Sequence, residues 1–187
     1  HHLRSDRKAQ QNYLTVSSAA EFIRDSITAD KYVRTLTETH TAVKDENGNT
    51  TGYDVSYDVT ETIPLSGPMQ AWLAASIDRG GDRDKYARFQ ECTDTIMVDL
   101  PIDTGTSLRT VQAAFSAKED GSIQVELSLK PEEGRTDDCR MTLTMQGKLK
   151  EEDEGRSSSG DDYSYIYRTT VTWEAQRIVK GIKEAGA

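Results

Sequence analysis

The sequence predicts an α+β fold in which a long N-terminal amphipathic helix packs on an antiparallel β-sheet. In the first 30 residues apolar side chains recur every three or four positions, which is typical of a helix. After Lys31 the period changes to two, which is typical of half-buried strands. No helical run of crossover length separates the strand-like runs, which argues against a parallel sheet. We therefore expect residues 1–30 to form the helix and residues 31–187 to form an antiparallel β head domain.

The N-terminal helix is predicted from a single apolar stripe that begins at Ala9. Five side chains of the stripe are expected to pack on the sheet or on neighbouring subunits: Tyr13, Val16, Ala20, Ile23 and Ile27. Charged and amide side chains fill the positions between them. The helix is expected to end between Thr28 and Asp30.

The head domain is predicted to begin with a long hairpin. A Thr-rich run from Tyr32 leads into Asn47-Gly48, a strong turn signal, and an alternating apolar and polar run follows from Tyr53. A short helix is expected near residues 68–79, because Pro68 suits a first helical turn and a glycine pair follows the last apolar residue.

The rest of the head domain is predicted to be an antiparallel meander. Four strand-like runs cover residues 92–101, 108–120, 122–131 and 139–150. The charged, Gly/Ser-rich residues 151–162 are predicted to be a mobile loop. A last strand is expected from Tyr163 onward.

Composition restricts the classes of function. Only 35% of the residues are hydrophobic, which favours an open sheet with one wet face. The net charge of -9 argues against nucleic acid as a partner, because phosphate binding needs a basic surface. The sequence contains no run of about 20 apolar residues that could span a membrane.

The two cysteines, Cys92 and Cys139, lack the spacing of a zinc site or a redox motif. Two interpretations remain open for them. They form a single structural disulfide in an exported protein, or they are two independent buried thiols.

No catalytic, cofactor-binding or metal-binding residues are predicted, and the protein is expected not to be an enzyme. His40 is the only histidine after His2, and it is interpreted as an exposed strand residue. The carboxylates of residues 78–84 match no EF-hand spacing. The acidic run at residues 151–154 is typical of a solvent-exposed loop. Residues 49–51 form a glycosylation sequon of a kind that is common by chance.

Tyr163, Tyr165 and Tyr167 alternate along the last predicted strand, so they share one face of it. Alternate aromatic residues usually contact the core or cross-strand neighbours. A sugar- or peptide-binding surface is the alternative interpretation.

The segment QQNYLTVSSAAEFIRDSI, residues 10–27, resembles the helix that follows the transmembrane stretch in type IV pilin-like and pseudopilin-like surface proteins of Gram-positive bacteria. The resemblance implies an exported subunit whose partners are other pilin-like subunits or a cell-surface assembly. It also implies a membrane anchor in a removed segment before His1, and an extracellular, cell-surface location. No active-site residue is carried over, because pilin subunits are not enzymes.

Two functions are therefore expected. The first is a non-enzymatic, pilin-like surface subunit that acts through self-assembly or surface presentation. The alternative is a secreted or membrane-anchored binding module for a sugar, a peptide or a cell-wall polymer.

Overall fold

The predicted α+β fold class is wrong, because the protein is mainly β. The structure, a computed structural model, describes residues 2–98, 110–129 and 139–181. More than half of these residues lie in strands, and seven strands form one antiparallel sheet that curls into a half-barrel. The architecture is therefore that of a curled sheet, not of a pilin-like helix laid on a smaller sheet.

Two helices and nine strands follow one another along the described chain. They are α1 (His2–Ala29), β1 (Tyr32–Lys44), β2 (Thr50–Thr62), α2 (Gly67–Ala75), β3 (Ile77–Asp78), β4 (Arg88–Phe89), β5 (Cys92–Val98), β6 (Val111–Ala117), β7 (Ser122–Leu129), β8 (Met141–Ser159) and β9 (Asp162–Lys180). The large sheet has the order β2-β1-β9-β8-β7-β6-β5, and β3 and β4 form a separate two-stranded ladder.

The long strands β8 and β9 explain why the fold class was mispredicted. Residues 151–159, expected to belong to a mobile loop, continue β8 and pair with β9 through a bulge between Asp153 and Arg156. Strand propensity is weak for such a polar segment, and the pairing with β9 overrides it. The sheet therefore extends much further along the strands than the sequence indicated.

The first hairpin forms around the Asn47-Gly48 turn. Gly48 adopts a positive φ of 79°, which glycine reaches without steric cost. The Asp45 carboxylate accepts hydrogen bonds from the backbone N–H groups of Asn47 and Asn49 at 2.9 and 2.8 Å, so the turn is closed by a local side chain.

One hydrophobic core joins the helices to the inner face of the sheet. The α1 side chains of Val16, Ala20, Ile23 and Ile27 are fully buried in it, whereas Tyr13 is half-buried at its margin. The α2 and sheet side chains of this core include Trp72, Leu73, Ala113, Phe115, Val125, Leu143, Val171 and Trp173. In the described part of the chain, no helix is both long and apolar enough to cross a membrane.

Candidate functional site

Beyond the core, the inner face of the sheet continues across β2, β1 and β9. The register pairs His40 of β1 with Tyr163 and with Val55, and Glu38 with Tyr165 and with Tyr57. Because side chains alternate along strands, these residues project from one face. We call its ring-bearing residues the aromatic face: His40, Tyr53, Tyr57, Tyr163, Tyr165 and Tyr167.

The rings of the aromatic face pack on one another. The His40 ring stacks on Tyr163 at a centroid distance of 4.3 Å and an interplanar angle of 12°. Tyr53 meets Tyr163 edge-on at 5.1 Å, and Tyr165 stacks on Tyr167 at 6.4 Å. Such pairs stabilise beyond the area that they bury. The rings of the aromatic face therefore form a small core that stabilises the long hairpins.

Cations cover three of the tyrosine rings. Arg156 lies 3.9 Å from the centroid of Tyr163, and Lys85 lies 4.8 Å from that of Tyr167. Arg83 lies 5.3 Å from the centroid of the Tyr57 ring. Because a sugar stacks on an open ring face, each cation competes with it for one face of its ring.

The sequence prediction that His40 is exposed is wrong. Its side chain is only 16% exposed, and its Nε2 lies 3.6 Å from Glu38 Oε1. The Tyr57 hydroxyl donates a 3.2 Å hydrogen bond to the same carboxylate oxygen. Among the described residues, no group of three or more His, Cys, Asp or Glu side chains is placed to hold a metal ion.

The segment between β3 and β4 is tethered over the inner face by a buried arginine. Arg34 of β1 is 2% exposed, and its Nη1 donates hydrogen bonds to the carbonyl oxygens of Asp84 and Lys85 at 2.9 and 3.4 Å. A buried guanidinium with these partners fixes the segment in place. The tether explains how Arg83 and Lys85 reach the tyrosine rings.

A second tether joins β2 to Tyr32 of β1 and to Arg79, the residue that follows β3. The Glu61 carboxylate accepts hydrogen bonds from the Tyr32 hydroxyl and from Arg79 Nε. Burial raises the pKa of Glu61, but the hydrogen bonds from Arg79 and Tyr32 outweigh it and lower the pKa below its usual value. Burial and the hydrogen bond to Glu61 raise the pKa of Tyr32. These groups hold structure and are not placed as an acid and base pair around a cleft.

A groove of about 610 Å³ lies beside the tethered segment. Its charged lining has both signs: Arg83, Lys85 and Arg88, with Asp78, Asp84 and Glu151. Because charges of both signs line it, the groove does not favour an anion over a cation.

The edge strand β2 carries the exposed apolar side chains of this face. In the described sheet β2 pairs only with β1, so one side of its thirteen-residue backbone has no partner strand. Tyr53, Val55 and Val59 are 43%, 44% and 40% exposed. By contrast, Tyr167 is 6% exposed, and Tyr163 and Tyr165 are half-buried. The accessible part of the surface is thus on β2, two strands from the predicted tyrosines.

The structure does not join the two cysteines, so a Cys92–Cys139 disulfide is not present. Cys92 is a half-buried free thiol that lies opposite Ala117 on the edge strand β5. Cys139 is buried just before β8, three strands away and toward the other end of the strands. Three strand spacings are about 14 Å, beyond the reach of a disulfide.

Sequence reasoning identified the tyrosines of β9 but missed their partners. His40, Tyr53 and Tyr57 join them only because β1 lies between β2 and β9. The alternation of Tyr53, Val55, Tyr57 and Val59 was the signal for the accessible strip. The sequence did not show that β2 would be an edge.

No protein family, curated protein or solved structure gives a significant match to this chain. The resemblance of residues 10–27 to pilin-like proteins stays a prediction.

Proposed function

We propose that this protein is a non-enzymatic interaction module that binds an extended segment of a partner protein along the open side of β2. The observation that carries the proposal is a thirteen-residue strand at the edge of the described sheet, which combines a backbone side without a partner strand there with exposed Tyr53, Val55 and Val59. This proposal is a more specific form of the alternative hypothesis from the sequence, a binding module for a peptide.

The backbone of β2 supports binding by strand addition. An edge strand presents N–H and C=O groups at alternate residues, and a segment from another chain can pair with them. Proteins usually protect such edges with short strands, proline, lysine or a bulge. β2 is long and contains neither proline nor lysine, and its one register shift, opposite Val43 and Lys44, lies at the turn end of the strand.

The side chains of β2 support a protein partner over a sugar. Tyr53, Val55 and Val59 form an apolar strip on one face of β2. Alternate side chains of an added strand would pack against this strip. Three of the tyrosine rings already carry a cation, Arg156 on Tyr163, Lys85 on Tyr167 and Arg83 on Tyr57, which leaves them less open to a sugar. An aliphatic and aromatic strip beside a free backbone is typical of peptide recognition.

The experiment is a selection of displayed nine-residue random peptides on the wild-type chain, followed by hydrogen exchange of each complex. We expect enriched peptides to slow exchange of the amides in residues 50–62, because strand addition covers them. Val55→Thr with Val59→Thr keeps the β-branched shape but removes the apolar contact, so it should weaken these peptides at least fivefold.

Met97→Thr is the matched control, because Met97 is 49% exposed on the opposite edge strand β5. It should leave binding unchanged. Selected peptides that protect other residues, or that bind the Val55/Val59 variant as well as the wild type, would contradict the proposal.

The predicted cell-surface location stays a prediction that is independent of this surface. The residues encoded before His1 test it. About 20 apolar residues that continue into α1 would support an anchored surface protein, and a start codon directly before His1 would contradict it.

A further inference from the structure

We infer that the partner segment of β2 is cationic, with Lys or Arg at every fourth residue and apolar side chains on its other face. This inference rests on the proposed function and names the chemistry of its partner. It follows from the second face of β2, which carries charge where the first carries apolar side chains.

Two aspartates on this second face have no ion-pair partner among the described residues. Asp54 lies opposite Thr41 and Asp58 lies opposite Thr37 on β1. Both carboxylates are exposed, and neither forms an ion pair with any of the described residues. Elsewhere in the long hairpins, Lys44 pairs with Asp161 and Arg168 pairs with Glu154.

An added strand would bring its side chains directly beside these carboxylates. Residues that face one another across an antiparallel pair have Cβ atoms about 5 Å apart. Asp54 and Asp58 are four residues apart, or about 13 Å along the strand, so cations four residues apart in the partner would meet both. The apolar residues between those cations would then face Tyr53, Val55 and Val59.

A second copy of the chain fits this edge less well. Pairing β2 with itself places four aspartates on one face of a two-stranded junction, and like charges there are destabilising. The chain carries a net charge of -9, which repels another copy and attracts a basic segment. The aspartates therefore select against self-pairing and for a cationic strand.

The probe is a synthetic peptide, Lys-Val-Thr-Val-Lys-Val-Thr-Val-Lys, blocked at both ends and titrated into the isotope-labelled chain by NMR. We expect shifts of the amides in residues 50–62. The same peptide with Glu in place of Lys should bind at least tenfold more weakly. Asp54→Asn with Asp58→Asn should weaken the Lys peptide about fivefold, because two surface ion pairs are lost.

Glu91→Gln with Glu119→Gln is the matched control. It changes the net charge equally, and both residues are exposed near β5 and the β6–β7 turn, with no ion pair among the described residues. It should change affinity less than twofold. Two N-methylated peptides, modified at the Lys and Thr residues or at the Val residues, test the backbone pairing. Only one of them should bind, because alternate N–H groups of an added strand face β2.

The outcomes distinguish failure of the cationic preference from failure of strand addition itself. Equal binding of the Lys and Glu peptides at residues 50–62 would overturn the cationic preference and leave strand addition intact. Binding of both N-methylated peptides, or no shift in residues 50–62, would overturn both. A dimer in sedimentation that the Val55/Val59 variant abolishes would make a second copy the occupant and overturn the inference.

Discussion

A methyl group added at Gly147 should destabilise the protein through a contact that the backbone cannot relieve. Gly147 is buried in β8 opposite Trp173, and its N–H donates a 2.8 Å hydrogen bond to the Gly121 carbonyl oxygen. A Cβ at this position would lie 2.9 Å from that same oxygen, 2.9 Å from Phe89 Cζ and 3.0 Å from Trp173 Nε1. The Phe89 ring can move aside, but the hydrogen bond holds the oxygen.

The magnitude follows from two opposing effects of Gly147→Ala. Overpacking costs about 1–3 kcal/mol. The smaller entropy of the unfolded alanine chain returns about 0.4–1 kcal/mol. At the middle of both ranges the free energy of unfolding should fall by about 1.3 kcal/mol, and by at most about 2.6 kcal/mol. Tm should then fall by roughly 3–5 °C for a chain of this size.

The assay is urea unfolding followed by tryptophan fluorescence, with thermal unfolding for Tm. Gly52→Ala is the matched control, because Gly52 also lies in a strand but has no atom within 4 Å of an added Cβ. That variant should match or slightly exceed wild-type stability. If Gly147→Ala proves as stable as Gly52→Ala, the close approach of β8 to the Gly121 turn is not a constraint and the reasoning is wrong.

Three further predictions concern the core, the β2 tether and the thiol. Ile23→Ala should lower the free energy of unfolding by about 2–5 kcal/mol, because Ile23 is fully buried, whereas Leu14→Ala, at a side chain 66% exposed, should change it by less than about 0.5 kcal/mol in the same urea assay. The hydrogen bond from Arg79 helps to outweigh burial and lowers the pKa of Glu61. The ionised Glu61 carboxylate therefore stabilises the fold above about pH 4.3, and this contribution is lost as pH falls through the folded-state pKa. Glu61→Gln should therefore show a smaller loss of Tm between pH 6 and pH 3 than the wild type, and an equal loss would contradict this. Burial raises the pKa of Cys92, so iodoacetamide should label it without reductant, slowly at pH 7 and faster above pH 9, as mass spectrometry would show; labelling that requires reductant would contradict the free thiol.

Local patterns in the sequence were sufficient for the strands with clean alternation. Ile123, Val125, Leu127 and Leu129 alternate without a break, and β7 spans Ser122–Leu129. The Asn47-Gly48 turn joins β1 to β2, as the Asn-Gly turn signal predicts. In each case the signal and the structure it specifies lie within a few residues of one another, so no distant contact was needed to predict them.

Long-range pairing determined what the sequence did not show. Residues 151–159 have a loop-like composition, yet they form a strand because β9 pairs with them. The heptad stripe of α1 led to an α+β prediction, although the strands outweigh the helices. The edge position of β2 depends on β9 joining β1 on its other side, and no local pattern encodes that neighbour.

The pairing of β1 with β9 also has a consequence for how the chain reaches its folded state. Tyr32 lies opposite Val171, so about 140 residues separate positions that must meet. At about 5–20 residues per second, the ribosome adds Tyr32 roughly 7–28 seconds before Val171. Once β2 is made, and until β9 arrives, the β1–β2 hairpin has two sides without a partner strand. One is the side of β1 that β9 will later cover, and the other is the outer side of β2, which has no partner in the described sheet. A cationic segment bound to β2 during synthesis would therefore meet a nascent hairpin, and sheet closure by β9 would be the slow final step of folding.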